Sequence, residues 1–298
     1  ALKYYTFSYE QGTKNRIRDY AIFAIAWTYQ SLERYKDAIA WYDTLQSVCP
    51  TSPLNEKACF NKAECFAQMK DYSSALTTLQ NCRVAGKGDT ASFDFMIAEY
   101  LFALERFPEA EMQYELFLQS YPEHPRFSEA KYGLGWSLFK QKRYRQAANV
   151  FKEVGSGTND FSGAANFQYG KTLKQLGQRD SALIVFEDLA EHEIKNEWRE
   201  KALLEAGLIY FEDNNIVQAK ECFQKILSGD QTSSVANDAL RWLGECSLVE
   251  NKFEDAGKSF ARVVADTTAT DELRAVSLFQ LARCAYLERQ YGAAISHF

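Results

Sequence analysis

The chain has 298 residues, 46% of them hydrophobic and 25% charged, with only 5 Pro and 15 Gly, a balance that excludes a disordered segment and supports helix throughout. A net charge of −6 offers no electropositive footprint for a phosphate backbone, so nucleic acid is not an expected partner. The longest apolar run, Tyr20 to Tyr29, is about half of the ~20 residues a spanning helix requires, which excludes a direct membrane span.

In chain order, Ala1 to Gln11 carries Tyr4, Tyr5, Phe7 and Tyr9 and reads as the second helix of a truncated unit, stopped by Gly12-Thr13-Lys14-Asn15. Residues 20–29 and 35–45 then form two amphipathic helices joined by a tight turn and closed by Cys49-Pro50. The rest restates this pair, at about 19–50, 56–84, 91–121, 128–154, 163–192, 198–228 and 236–265, with a last partial unit at 274–298. In the third unit, Phe107-Pro108 places Pro at the first position of its second helix, where the missing N–H costs nothing. Connectors are polar and small, with glycines at Gly86, Gly88, Gly155 and Gly157 that turn chemistry explains; no Gly-Lys-Ser/Thr follows them, so they are not phosphate loops. An array in which each unit touches only its neighbours predicts one continuous domain over 1–298. Both ends fall mid-motif, as in a piece of a longer chain.

Aligning the units on the alanine that opens each second helix gives Ala1, Ala38, Ala75, Ala110, Ala147, Ala182, Ala219, Ala256 and Ala294, spaced by 35 to 38 residues. One helical turn later on the same face comes Tyr5, Tyr42, Leu79, Tyr114, Phe151, Phe186, Phe223, Phe260 or Phe298. Three residues before the alanine sits a mostly aromatic position, from Tyr35 to Tyr291, and twelve before it a small one: Ala26, Ala63, Ala98, Gly135, Gly170, Gly207, Gly244 or Ala282. Small residues there let two helices approach closely, while the large ones fill the seam to the next pair.

This pattern resembles the tetratricopeptide repeat, with a period longer than that family's usual ~34 residues. The Pro-punctuated connectors, such as Pro50 to Asn55 and Tyr121 to Pro125, are similar to those of bacterial tetratricopeptide proteins of the cell envelope, including the Tol-Pal-associated and outer-membrane assembly lipoprotein groups. The resemblance implies a right-handed α-solenoid of antiparallel helix pairs, without enzymatic activity or cofactor, that binds a protein or peptide in a concave groove lined by first helices.

Side-chain chemistry agrees. His124, His192 and His297 fall in different units, and a linear array does not converge distant units into a triad or a metal site. Glu191, His192 and Glu193 are consecutive and point about 100° apart on a helix, unlike a ligand set. Of seven cysteines, Cys65, Cys246 and Cys284 share one register, which predicts a shared role as small buried hydrophobes. A Cys59–Cys82 disulfide could join two paired helices. This many thiols favours a reducing compartment and opposes the envelope likeness, so both compartments stay open.

Carrying the family's groove over by register, the positions three before the small residue include Phe23, Phe60, Phe95, Tyr132 and Phe167, and those one after it include Trp27, Glu64, Glu99, Trp136 and Lys171. The next turn adds Phe102, Phe139 and Phe211. The first register either faces the groove or packs sideways between successive first helices; the irregular Trp27, Trp136, Phe102 and Phe139 are the better binding candidates. Glu64 and Glu99 would make part of the groove acidic, and Arg241 and Arg283 are too few to form a carboxylate clamp. The alternative is a spacer acting through convex faces or end-to-end self-association.

Overall fold

The computed structural model describes residues 2–11, 17–84, 90–192, 196–229 and 235–297. These residues form 17 α-helices and no strand. They fall into two compact units, residues 1–150 and 151–298.

The first unit contains α1 (Leu2–Gln11), α2 (Arg18–Ser31), α3 (Tyr35–Val48), α4 (Asn55–Gln68), α5 (Tyr72–Val84), α6 (Thr90–Ala103), α7 (Phe107–Ser120), α8 (Phe127–Lys140) and the start of α9 (Tyr144–Gly155). The second contains the end of α9, then α10 (Ser162–Gln175), α11 (Arg179–His192), α12 (Asn196–Glu212), α13 (Ile216–Ser228), α14 (Ala236–Val249), α15 (Phe253–Ala265), α16 (Asp271–Leu287) and α17 (Tyr291–His297). From α2 onward the even-numbered helices are the first of each pair. Pairs such as α2 with α3 and α12 with α13 pack closely, and within each unit second helices also meet the next first helix, as α3 meets α4 and α11 meets α12. Pro108 is the second residue of α7, one place further in than expected; its nitrogen is still among the four that the helix leaves unpaired. The segment 12–15 expected to stop α1, and the connectors at 85–89 and 230–234, lie outside the described residues.

The close approach within a pair depends on one steric fact. In the second unit Gly170, Gly207 and Gly244 lie under the rings of Phe186, Phe223 and Phe260, and a Cβ added to each glycine would meet its ring at 2.6, 2.5 and 2.6 Å. All three rings are fully buried. At α2, α4 and α6 of the first unit the small residue is alanine, and its partners in register are Tyr42, Leu79 and Tyr114. Tyr42 donates its hydroxyl to Gln30 Oε1 at 2.7 Å and accepts from Asn61 Nδ2 of the next pair at 3.0 Å. Tyr114 leans the same way, onto Gly133 of α8, where a Cβ would be 2.5 Å from the ring. A phenol drawn toward the next pair leaves room for a methyl group below it; a phenylalanine centred over the first helix does not.

The turn inside each pair is equally regular. Seven residues after the small one, the backbone enters the left-handed region: Glu33 (57°), Lys70 (61°), Glu105 (58°), Lys142 (61°), Gly177 (74°), Asn214 (59°), Asn251 (59°) and Arg289 (63°). At each of these the N–H bonds the carbonyl three residues back and the next N–H bonds the carbonyl five back, as in Glu33 to Gln30 and Arg34 to Tyr29, both 2.9 Å. This double closure satisfies the last carbonyls of the first helix and reverses the chain. Among the described residues no helix is long and apolar enough to cross a membrane.

Candidate functional site

The expected binding residues lie on the first helices, and packing divides them into three groups. Phe95 is 2% exposed. It sits edge-on to Phe117 at 5.6 Å and to Tyr114 at 6.5 Å, with the Arg126 guanidinium 4.6 Å above it. Phe95 therefore belongs to the core and offers no surface to a ligand, which corrects the expectation for that position. Its register neighbours behave alike: Phe23 packs on Tyr42 at 5.8 Å and Phe167 on Phe186 at 5.8 Å, each against the second helix of its own pair. Phe60 instead stacks on Phe93 of α6, centroids 4.0 Å apart and rings 24° from parallel. The register thus packs mainly inward, with sideways packing between first helices at Phe60 and at Phe167, whose ring also lies 5.7 Å from Trp198 of α12.

A second group is half-buried. On α8, Tyr132, Trp136 and Phe139 form a run of edge-to-face contacts at 6.3 and 5.6 Å, continued from Phe139 to Tyr144 at 5.2 Å. Phe102 closes on Phe107 in the same way at 5.3 Å. Each ring is held by at least one aromatic neighbour and is half-buried, the arrangement of a pre-ordered anchor. In the second unit Phe211 lies edge-on to Trp242 at 5.1 Å, and Arg241 sits 4.2 Å over the indole. Trp242 was invisible to the register argument, because its position falls two residues before the small Gly244, outside the aligned rows.

The third group is polar or fully presented. Trp27 is 58% exposed on α2. Glu64 of α4 accepts from Gln30 Nε2 of α2 at 2.9 Å. In the second unit Glu205 of α12 holds Lys174 of α10 at 2.5 Å and Lys171 at 3.8 Å, and the Lys171 ammonium also caps the Phe167 ring at 5.7 Å. Gln280 of α16 donates to Glu245 of α14 at 2.9 Å. Neighbouring first helices are therefore linked by polar pairs about one repeat apart in sequence, exposed at Gln30–Glu64 and part-buried at Lys174–Glu205 and Gln280–Glu245.

Glu99 differs. It accepts from the Tyr114 hydroxyl, and burial holds its carboxyl above the usual range, against the lowering effect of that bond. A carboxyl raised by folding favours the folded state at low pH and loses that contribution as pH rises through the raised value. Glu99→Gln keeps an acceptor without the charge, so its urea midpoint is expected to match wild type at pH 4 and exceed it at pH 8. A difference of opposite sign would contradict this.

Among the described residues no group of three His, Cys, Asp or Glu side chains could hold a metal ion. Cys65, Cys246 and Cys284 are buried and free, and burial pushes their thiols up to about 12, 12 and 11, the state of inert packing thiols.

Tetratricopeptide repeat profiles match residues 20–52, 95–160 and 204–272. A search of curated proteins finds no match. Among solved structures, a tetratricopeptide repeat protein from Parabacteroides merdae is 16% identical over 87% of this chain and 98% of its own, with a TM-score of 0.59. The C-terminal part of a repeat-containing protein from Cytophaga hutchinsonii is 13% identical over 84% and 97%, with a TM-score of 0.63. PilF of Pseudomonas aeruginosa is 15% identical over 70% and 88%, with a TM-score of 0.54. With the matched repeats, the small-residue seam and the eight identical turns together, this chain belongs to the tetratricopeptide repeat family.

Proposed function

We propose that this protein is a non-enzymatic scaffold that binds an extended protein segment along its first helices. Tetratricopeptide repeats generally mediate protein–protein interaction. The observation that carries the finer reading is the aromatic run Tyr132–Trp136–Phe139–Tyr144, half-buried and already ordered, in the same unit as the exposed Trp27. Ordered aromatic anchors lose little entropy on binding and dominate interface energies. Glu64, on the first helix α4 of the same unit, favours a segment carrying at least one cation.

The test is affinity capture from the source cell with three baits: wild type, Trp27→Ala, and Trp136→Ala/Phe139→Ala. Loss of a captured protein from either variant, at unchanged helicity and melting temperature, is the expected result. Truncating one such anchor costs about 2 kcal/mol or more, roughly thirtyfold in affinity. Equal capture by all three baits would overturn the placement and favour a second reading, contact through second-helix faces. The apolar side chains exposed there support that alternative: Met112 at 68% on α7, Ile184 at 66% on α11 and Val217 at 63% on α13.

A further inference from the structure

Two cysteines stand apart from the packing thiols. Cys59 of α4 is fully buried, Cys82 of α5 is partly exposed, and their Cα atoms are 6.5 Å apart with the sulfurs in bonding contact. That Cα spacing lies inside the range a disulfide spans without backbone movement, about 4.4–6.8 Å. The other described cysteines are unpaired. Cys82 also lines a cavity of about 450 Å³ beneath the α3–α4 connector, together with Pro50, Pro53 and Phe93. Cys59 does not reach that cavity. It has Gln46 Nε2 and the Thr78 carbonyl at 3.8 Å each, a donor for its thiolate and an acceptor for its thiol, so the reduced form is also accommodated.

We propose that Cys59 and Cys82 form a reversible disulfide, entered through Cys82, that staples the two helices of this pair. With a small disulfide such as oxidised glutathione as oxidant, the Cys82 thiolate attacks one glutathione sulfur. A mixed disulfide forms, and the first glutathione thiolate leaves. The Cys59 thiolate then attacks the Cys82 sulfur from inside the pair and expels the second. Two protein thiols are oxidised, one glutathione disulfide is reduced to two thiols, and both protons go to solvent base or product. The order follows from access, since only Cys82 meets a dissolved reagent. The link closes a loop with a sequence separation of 23, which restricts the unfolded chain.

The test uses the whole chain equilibrated with oxidised or reduced glutathione, acid-quenched, unfolded and alkylated. The expected result is five alkylated cysteines after oxidation and seven after reduction, with a Cys59–Cys82 peptide in the mass map. The oxidised form is expected to melt about 5 °C or more above the reduced form. That difference should vanish in Cys82→Ala and persist in Cys49→Ala. Seven free thiols after oxidation, a linkage through Cys49, or a melting difference that survives Cys82→Ala would each overturn the proposal. The wild-type thiol count and map decide the matter even if Cys82→Ala fails to fold.

Discussion

Gly207→Ala is expected to destabilise the second unit by about 1–3 kcal/mol, and Gly207→Leu by about 3 kcal/mol or more. The sign is what makes the first variant informative. In an unobstructed helix interior, Gly to Ala stabilises by roughly 1 kcal/mol. Here the added Cβ would lie 2.5 Å from the Phe223 ring, and that ring is fully buried, with Cys222, Ile226 and Trp242 in the same core. It has nowhere to withdraw. Removing the ring does not help: Phe223→Ala leaves a cavity costing about 3–5 kcal/mol. The first unit points to the remedy, because Ala63 is followed there by the aliphatic Leu79. The double variant Gly207→Ala/Phe223→Leu is accordingly expected to be more stable than the sum of its single changes by about 1 kcal/mol. Denaturant midpoints of the four proteins supply this cycle. A Gly207→Ala protein more stable than wild type, or an additive double variant, would refute the steric account of the seam.

The opposite result is expected at the turns. Seven of the eight left-handed residues are not glycine, and Glu33, Lys70, Glu105 and Lys142 lack even the side-chain amide that makes Asn tolerable there. Replacing one of the four by glycine removes a conformational cost of about 1–2 kcal/mol and returns part of it as unfolded-state freedom, about 0.4–1 kcal/mol. The net gain is roughly 0.5–1 kcal/mol per site. These sites lie in separate pairs, so the gains should add, giving about 2–4 kcal/mol for the quadruple variant. Thermal and urea unfolding measure it. Gly177→Val, placing a β-branched residue at 74°, should lose at least as much as any single glycine gains. If the quadruple variant is no more stable than wild type, the double hydrogen-bond closure does not set the cost of these turns.

Both features bear on what the residues alone could reveal. The seam was legible because a close helix approach leaves a compositional trace: only Ala or Gly stands at Ala26 through Ala282, and a large residue recurs at Tyr42 through Phe298. From Ala26 to Phe260, though not in the last pair, Ala282 and Phe298, the pairing of Gly with Phe and of Ala with Tyr or Leu was visible in the same columns. Its cause was not, since it depends on which way each ring leans. The turns left no such trace, because Glu, Lys and Arg occupy positions where glycine would have advertised the backbone. Among candidate binding residues, the irregular Trp27 already stood out from the regular register of Phe95, which left groove-facing and packing roles open. Four residues of offset bring one under Phe117 and Arg126 and leave the other at 58% exposure. Cys59 and Cys82 could only be named as a pair able to meet, since the pairing depends on where two facing helices put their sulfurs.

The central claim, that partner segments lie along the first helices, is tested most directly by photo-crosslinking in the source cell. A photoreactive phenylalanine analogue would replace Trp27, Lys171 or Phe211 on the first helices, and Met112, Ile184 or Val217 on the second. The account predicts that one or more of the first three positions yields a discrete covalent adduct with a partner protein and that the last three yield none. Adducts arising only from Met112, Ile184 or Val217 would contradict it and assign the binding surface to the second helices.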